Sequence, residues 1–214
     1  MSGNPNDARV APREGRVALR HKRTEAEIVG AAWDLVREHG LASLSMRELG
    51  DRVGMKAQSI YSYFASKNEI YDAMFREGQI AFAEVMTITP ADTAGDDSIT
   101  AQLRIVGRRI FGFCTSDPAR YQLMFQRVIP DFQPSPATYE LAVAVLEQAR
   151  ERMRVAGFDP ERDLDMWTGL TTGLIDQQIS NDPGGTRWER LIDDAVDMFV
   201  TFATAKSESR KSTQ

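Results

Sequence analysis

From Thr24 onward the apolar residues recur at helical spacing, and no stretch alternates strictly as a half-buried strand would. Ile28, Ala31, Ala32, Leu35 and Val36 fall at i, i+3, i+4, i+7 and i+8, and the run stops at Gly40. The same period returns in Leu103, Val106, Ile110, Phe113 and Cys114, then in Tyr121, Met124, Phe125 and Val128. It closes with Trp188, Leu191, Ile192, Ala195, Val196, Phe199, Val200 and Ala203. This periodicity admits one fold class: all-α, with nine or so helices and no internal repeat.

Punctuation residues set the expected boundaries. Four capping boxes precede periodic runs: Thr24 with Glu27, Ser45 with Glu48, Ser66 with Glu69, and Thr186 with Glu189. In each, a hydroxyl can accept from a free amide at the helix start while the glutamate reaches back. Short helices are expected over 46–53 and 57–64, and a longer one over 67–87. An acidic loop follows at 90–98. Asp117-Pro118 and Ser135-Pro136 each place a cap before a proline at the first helical position. Helices over 136–156 and 163–181 then precede a turn at 182–185 (DPGG).

The net charge is -5, from 26 basic and 31 acidic side chains. Taken whole, that argues against a phosphate-rich partner. The charge is unevenly spread, however: residues 1–76 carry +2 and residues 77–214 carry -7. Within 1–23, six basic residues face two acidic ones among prolines and glycines, so this stretch is expected to be a flexible basic arm. A single cysteine, Cys114, excludes an internal disulfide, and one thiol with two histidines argues against a zinc site. No apolar run approaches the roughly 18 residues of a membrane span, and no signal-peptide pattern opens the chain. A cytoplasmic location is expected, with no cofactor and no membrane partner.

The most informative segment is 49–64, LGDRVGMKAQSIYSYF. Leu49 and Val53 lie one turn apart, as do Ile60 and Phe64. Between the pairs stands Gly54, where a left-handed backbone would let the chain turn sharply. Two short helices joined this way form a helix-turn-helix, whose second helix enters a major groove. Around that second helix stand Lys56, Ala57, Gln58, Ser59, Tyr61, Ser62 and Tyr63, none of them acidic. Lysine, glutamine and serine can hydrogen bond base edges or phosphates, and tyrosine adds a ring and a hydroxyl.

Gly40, Ser45 with Arg47, Gly54, the run Ile60-Tyr61-Ser62-Tyr63-Phe64, and Lys67 stand in order over about residues 24–75. This pattern resembles the DNA-binding domain of the tetracycline-repressor (TetR) family. The resemblance implies that Arg47, Lys56, Gln58 and Tyr61 reach base edges or neighbouring phosphates. It implies that Ser45, Ser59, Tyr63 and Lys67 hold the DNA backbone. Two positions depart from the family pattern. Gly50 stands where a small alanine is usual, and Lys56 where Ser/Thr often caps the recognition helix.

The resemblance further implies a three-helix DNA-binding domain over 24–70 and an effector-binding and dimerisation domain over 71–205, ahead of a polar tail at 206–214. The partners would be a palindromic double-stranded operator, a second copy of the chain, and a small, largely apolar effector that releases DNA. Leu164, Trp167, Thr171, Leu174 and Ile175 form one stripe, with small Gly169 and Gly173, and the last helix carries another wide stripe. These are expected to pair with their equivalents in a four-helix bundle, or else to face the chain's own core. Large soft side chains, Phe82, Met86, Phe113, Tyr121, Met124 and Phe125, can line an apolar cavity with Trp167, while Thr171 or Gln177 supplies a polar contact.

Catalysis finds no support. No nucleophile elbow, phosphate loop or dinucleotide glycine motif is present. A regulator that senses a protein partner, or redox state through Cys114, is the remaining alternative.

Overall fold

The computed structural model describes residues 13–212. Among them every regular element is helical: α1 (Arg13–His39), α2 (Met46–Val53), α3 (Ala57–Ile60), α4 (Lys67–Met86), α5 (Ile99–Ser116), α6 (Pro118–Phe125), α7 (Pro136–Val155), α8 (Arg162–Asn181) and α9 (Ile192–Lys211), with single 3-10 turns at Leu41–Ser43 and Glu189–Leu191. The chain divides into two compact units, Met1–Ile70 and Tyr71–Gln214.

Local capping explains most of the starts. The Ser45 hydroxyl accepts from the Glu48 amide at 3.2 Å, and the Ser66 hydroxyl from the Glu69 amide at 3.2 Å. Ser98, Asp117 and Ser135 cap α5, α6 and α7 in the same way, with a proline at the start of the last two. The Glu69 carboxylate reaches back to the Ala65 amide at 2.7 Å, one residue before the cap.

Two of the expected boxes do not form. Thr24 lies inside α1, which begins at Arg13, so the basic stretch expected as an arm is helical from residue 13. Good helix formers extend the helix one bond per residue. Arg23 pairs with Glu27 at 3.0 Å, and the His21 ring stacks on Tyr63 with centroids 4.6 Å apart. The first twelve residues of the expected arm lie outside the described residues. Thr186 gives no side-chain cap either; there the Asp182 carboxylate accepts the Arg187 amide at 2.9 Å and shapes the turn. The expected tail at 206–211 is the end of α9, tied down by Ser207 donating to the Gly157 carbonyl at 2.8 Å and by Arg210 pairing with Asp159 at 2.9 Å.

The first unit is built on Ile28, Ala32, Leu35, Val36, Leu49 and Ile60, all buried. α2 packs against α1 and α3. Gly54 ends α2 at φ 70°, a conformation that costs a side-chain-bearing residue energy. Gly50 sits where α2 passes the start of α3: an added Cβ would lie 2.7 Å from the Met55 carbonyl oxygen. On the other side of α2, Arg52 grips the Glu38 carboxylate of α1 with two hydrogen bonds of 2.9 and 2.6 Å.

In the second unit α5 packs against α6, α8 and α9. Gly107 permits the close approach, since a Cβ there would meet both Trp167 and Ile192 at 3.2 Å. The stripes expected to serve a partner chain are therefore used at home. Leu164, Trp167 and Ile175 of α8, and Ile192, Ala195, Val196, Phe199 and Ala203 of α9, are buried within the chain itself. What α8 and α9 leave outward is a neighbouring face with Met166, Gly169, Gly173, Met198 and Phe202.

Candidate nucleic-acid interface and ligand cavity

The helix pair α2–α3 is fixed by the two glycines and by the Arg52–Glu38 clamp, so its outer face is presented on a rigid frame. The α-helical part of the second helix ends at Ile60, short of the expected Phe64. A tighter turn follows, in which the Ser62 amide bonds the Ser59 carbonyl at 3.2 Å and the Tyr63 amide bonds the Ile60 carbonyl at 2.9 Å. Ile60 and Phe64 still point inward and are buried. That leaves Arg47, Lys56, Gln58, Ser59 and Tyr61 exposed on one continuous segment, with Tyr61 at 47%. Ser45, Tyr63 and Lys67 are half-buried. Ser45 is engaged as the cap of α2, and Tyr63 is stacked on His21. Lys56 opens α3 without any side-chain cap bond.

The second unit contains a cavity of about 290 Å³. Its wall holds seven of the nine residues expected for an effector site: Phe82, Met86, Tyr121, Met124, Phe125, Trp167 and Thr171. Phe113 and Gln177 are not on the wall. Phe113 packs against Phe82, ring centroids 5.4 Å apart, and carries the Arg120 guanidinium over its ring, 3.8 Å from the centroid. Gln177 faces outward and accepts from Asn181 at 2.7 Å. The residue after it, Gln178, turns inward instead and accepts the Trp188 amide at 2.9 Å. Phe75, Met124, Phe125 and Tyr139 are shared between the cavity and an open surface groove. The cavity therefore opens on that side, where Phe125 and Tyr139 are exposed.

Polar groups at the wall are few. Tyr121 donates its hydroxyl to Asp176 at 2.8 Å, and burial together with that acceptor pushes the phenol well above its ordinary range. Cys114 is also on the wall. Burial pushes its thiol up to about 12, so the reactive thiolate is suppressed.

Residues 28–74, which span α2 and α3, match the family model described as bacterial regulatory proteins, tetR family. Over that segment the chain is similar to the TetR family. The transcriptional regulator Rv1816 of Mycobacterium tuberculosis is 25% identical over 124 residues, a match that takes in 58% of this chain and 53% of that protein. The chain thus spans about half the length of the first relatives it matches. The transcriptional repressor Rv1353c of the same organism is 28% identical over 191 residues, covering 84% of this chain and 70% of that protein. Among solved structures, the regulator FadR of Bacillus subtilis in complex with stearoyl-CoA superposes with a TM-score of 0.62 at 18% identity, over 82% of this chain and 97% of that one.

Among the wall residues that sequence reasoning does not name are Gln79 and Arg152. Gln79 is 3% exposed on α4, and Arg152 is half-buried on α7, where its guanidinium donates to the Met86 carbonyl at 3.2 Å. A signal for both exists: Gln79 interrupts the apolar series Phe75, Phe82, Met86, and Arg152 follows Val145 and Ala149 on the inward face of α7. A lone polar residue on an apolar stripe marks either a satisfied core group or a ligand contact.

Proposed function

We propose that this chain is a TetR-family transcriptional repressor that binds a palindromic operator as a homodimer and releases it when a small, largely apolar effector enters the second-unit cavity. The observation that carries the reading is the exposed series Arg47, Lys56, Gln58, Ser59 and Tyr61, with no acidic residue from Lys56 to Tyr63, on a helix pair whose turn is locked by Gly50 and Gly54. Gln58 and Tyr61 read base edges from the groove, Arg47 and Lys56 reach base edges or phosphates, and Ser45, Ser59, Tyr63 and Lys67 hold the backbone.

One such helix reads only a few base pairs, so two copies about 34 Å apart are needed for a selective site. The second copy docks on the outward face of α8 and α9. Gly169 and Gly173 have nothing within 4 Å of an added Cβ, which leaves room for another backbone, and Met198 and Phe202 flank them on α9 at 61% and 37% exposure. α4 bears both Lys67 and the wall residues Gln79, Phe82 and Met86. A ligand that favours one position of α4 biases the reading helices, and the coupling is reciprocal, typically about 1–3 kcal/mol.

Selection of bound duplexes from a randomised pool tests this reading. Enriched sites should show two inverted half-sites one helical turn apart. Recovery of no common sequence would refute it.

A further inference from the structure

The cavity wall carries a charge pattern more specific than its apolar character. Of the described residues that line it, only Arg152 is charged, and none is an acid. Arg152 has no carboxylate within ion-pair distance among the described residues; its sole described hydrogen bond is to the Met86 carbonyl. Burial acts on it alone, holding its pKa below the usual arginine value, yet a guanidinium stays protonated in a protein. Several arginines of this unit pair with acids, as Arg104 does with Asp197, Arg109 with Asp92 and Arg162 with Asp163; half-buried Arg120, like Arg152, instead donates to a carbonyl, that of Phe113, but it is not on the cavity wall. A cation kept in an apolar wall without a counter-charge is costly unless something pairs with it.

Gln79 is the second, independent sign. The residue is only 3% exposed, it lies on the same wall, and its amide makes no hydrogen bond with another described residue yet is not sealed from solvent, so it keeps accessible surface. Gln79 stands seven residues before Met86 on α4, roughly 10 Å along the axis at 1.5 Å per residue. The volume, about 290 Å³, holds roughly ten waters at ~30 Å³ each, which sets an occupant of on the order of ten to fifteen non-hydrogen atoms.

Building on the effector-site reading above, we infer that the cavity selects amphipathic monoanions. The occupant has an apolar body of that size along Phe82, Val145 and Trp167, one carboxylate-type group at Arg152, and Gln79 in reach of its midsection. The guanidinium supplies a charge-assisted, two-pronged contact that a neutral or cationic analogue of the same length cannot use.

Titration calorimetry of the full chain with decanoate, 1-decanol and decylammonium tests this. Decanoate should bind about tenfold or more tightly than either of the others. Arg152→Met should reverse the ranking of decanoate and decanol, and Arg152→Lys should restore much of the preference for decanoate. A thermal melt of each variant confirms that it is folded. Equal binding of decanoate and decanol to the wild-type chain would overturn the anion assignment while leaving the cavity as a ligand site. Binding of none of the three would overturn both.

Discussion

A Cβ added to Gly50 would stand 2.7 Å from the carbonyl oxygen of Met55 and 3.1 Å from the amide nitrogen of Ala57. Both contacts are backbone, so neither can swing away. The Met55 amide also bonds the Gly50 carbonyl at 2.8 Å, which locks the turn around this contact. Gly50→Ala gains helix propensity, worth up to about 1 kcal/mol, but forces α2 and α3 apart. Overpacking of this kind costs about 1–3 kcal/mol. Urea denaturation should show a net loss of stability. A variant more stable than the wild type would mean that the two helices separate freely.

Asp72 at the start of the second unit accepts the Ser135 amide at 2.7 Å, the Ser135 hydroxyl at 2.9 Å and the Thr138 hydroxyl at 2.9 Å. It ties the first turn of α7 to α4. Asp72→Ala strands these donors, with Thr138 buried, and should cost about 2–3 kcal/mol. Asp72→Asn keeps an acceptor oxygen and should cost less. Equal, small effects of the two changes in chemical denaturation would show that the cap is dispensable.

The Cys114 thiol, raised to about 12 by burial, should resist a thiol reagent at pH 8 in the folded chain and react on addition of denaturant. The sign follows from the shift: the thiol stays protonated until the pH approaches the raised value. Fast labelling of the native protein would reopen the redox-sensing reading.

Gly173 has open space around it within the chain, so Gly173→Leu should fold normally. If a second copy docks there, the side chain blocks it. Sedimentation velocity should then report a monomer for the variant and a dimer for the wild type. A variant that stays dimeric would place the interface elsewhere.

The sequence makes local signals legible and leaves partners illegible. Ser45, Ser66, Asp117 and Ser135 announce helix starts because a cap is decided within four residues. Thr24 carries the same letters, yet the helix continues upstream of it, since nothing in a box forbids an earlier start. The stripes of α8 and α9 are visible as stripes, but a period shows which residues share a face and not what covers it; α5 covers them. Gln177 and Gln178 differ by about 100° around one helix, and only packing shows which turns inward. The exposed reading face stood out because its turn glycine, aromatic anchors and polar series lie within sixteen residues. Arg152 and Gln79 stayed hidden because their meaning depends on a cavity closed by several helices.

The central claim is that a chain of net charge -5 grips DNA through α3 and its flanking residues, where no acid stands from Lys56 to Tyr63. Fluorescence anisotropy with a selected duplex, titrated over salt, tests it most directly. Log affinity should fall linearly with log salt, at a slope of about -0.9 per phosphate neutralised. Lys67→Ala should make that slope shallower by about one unit. A salt-independent affinity that Lys67→Ala and Tyr61→Phe leave unchanged would contradict the account.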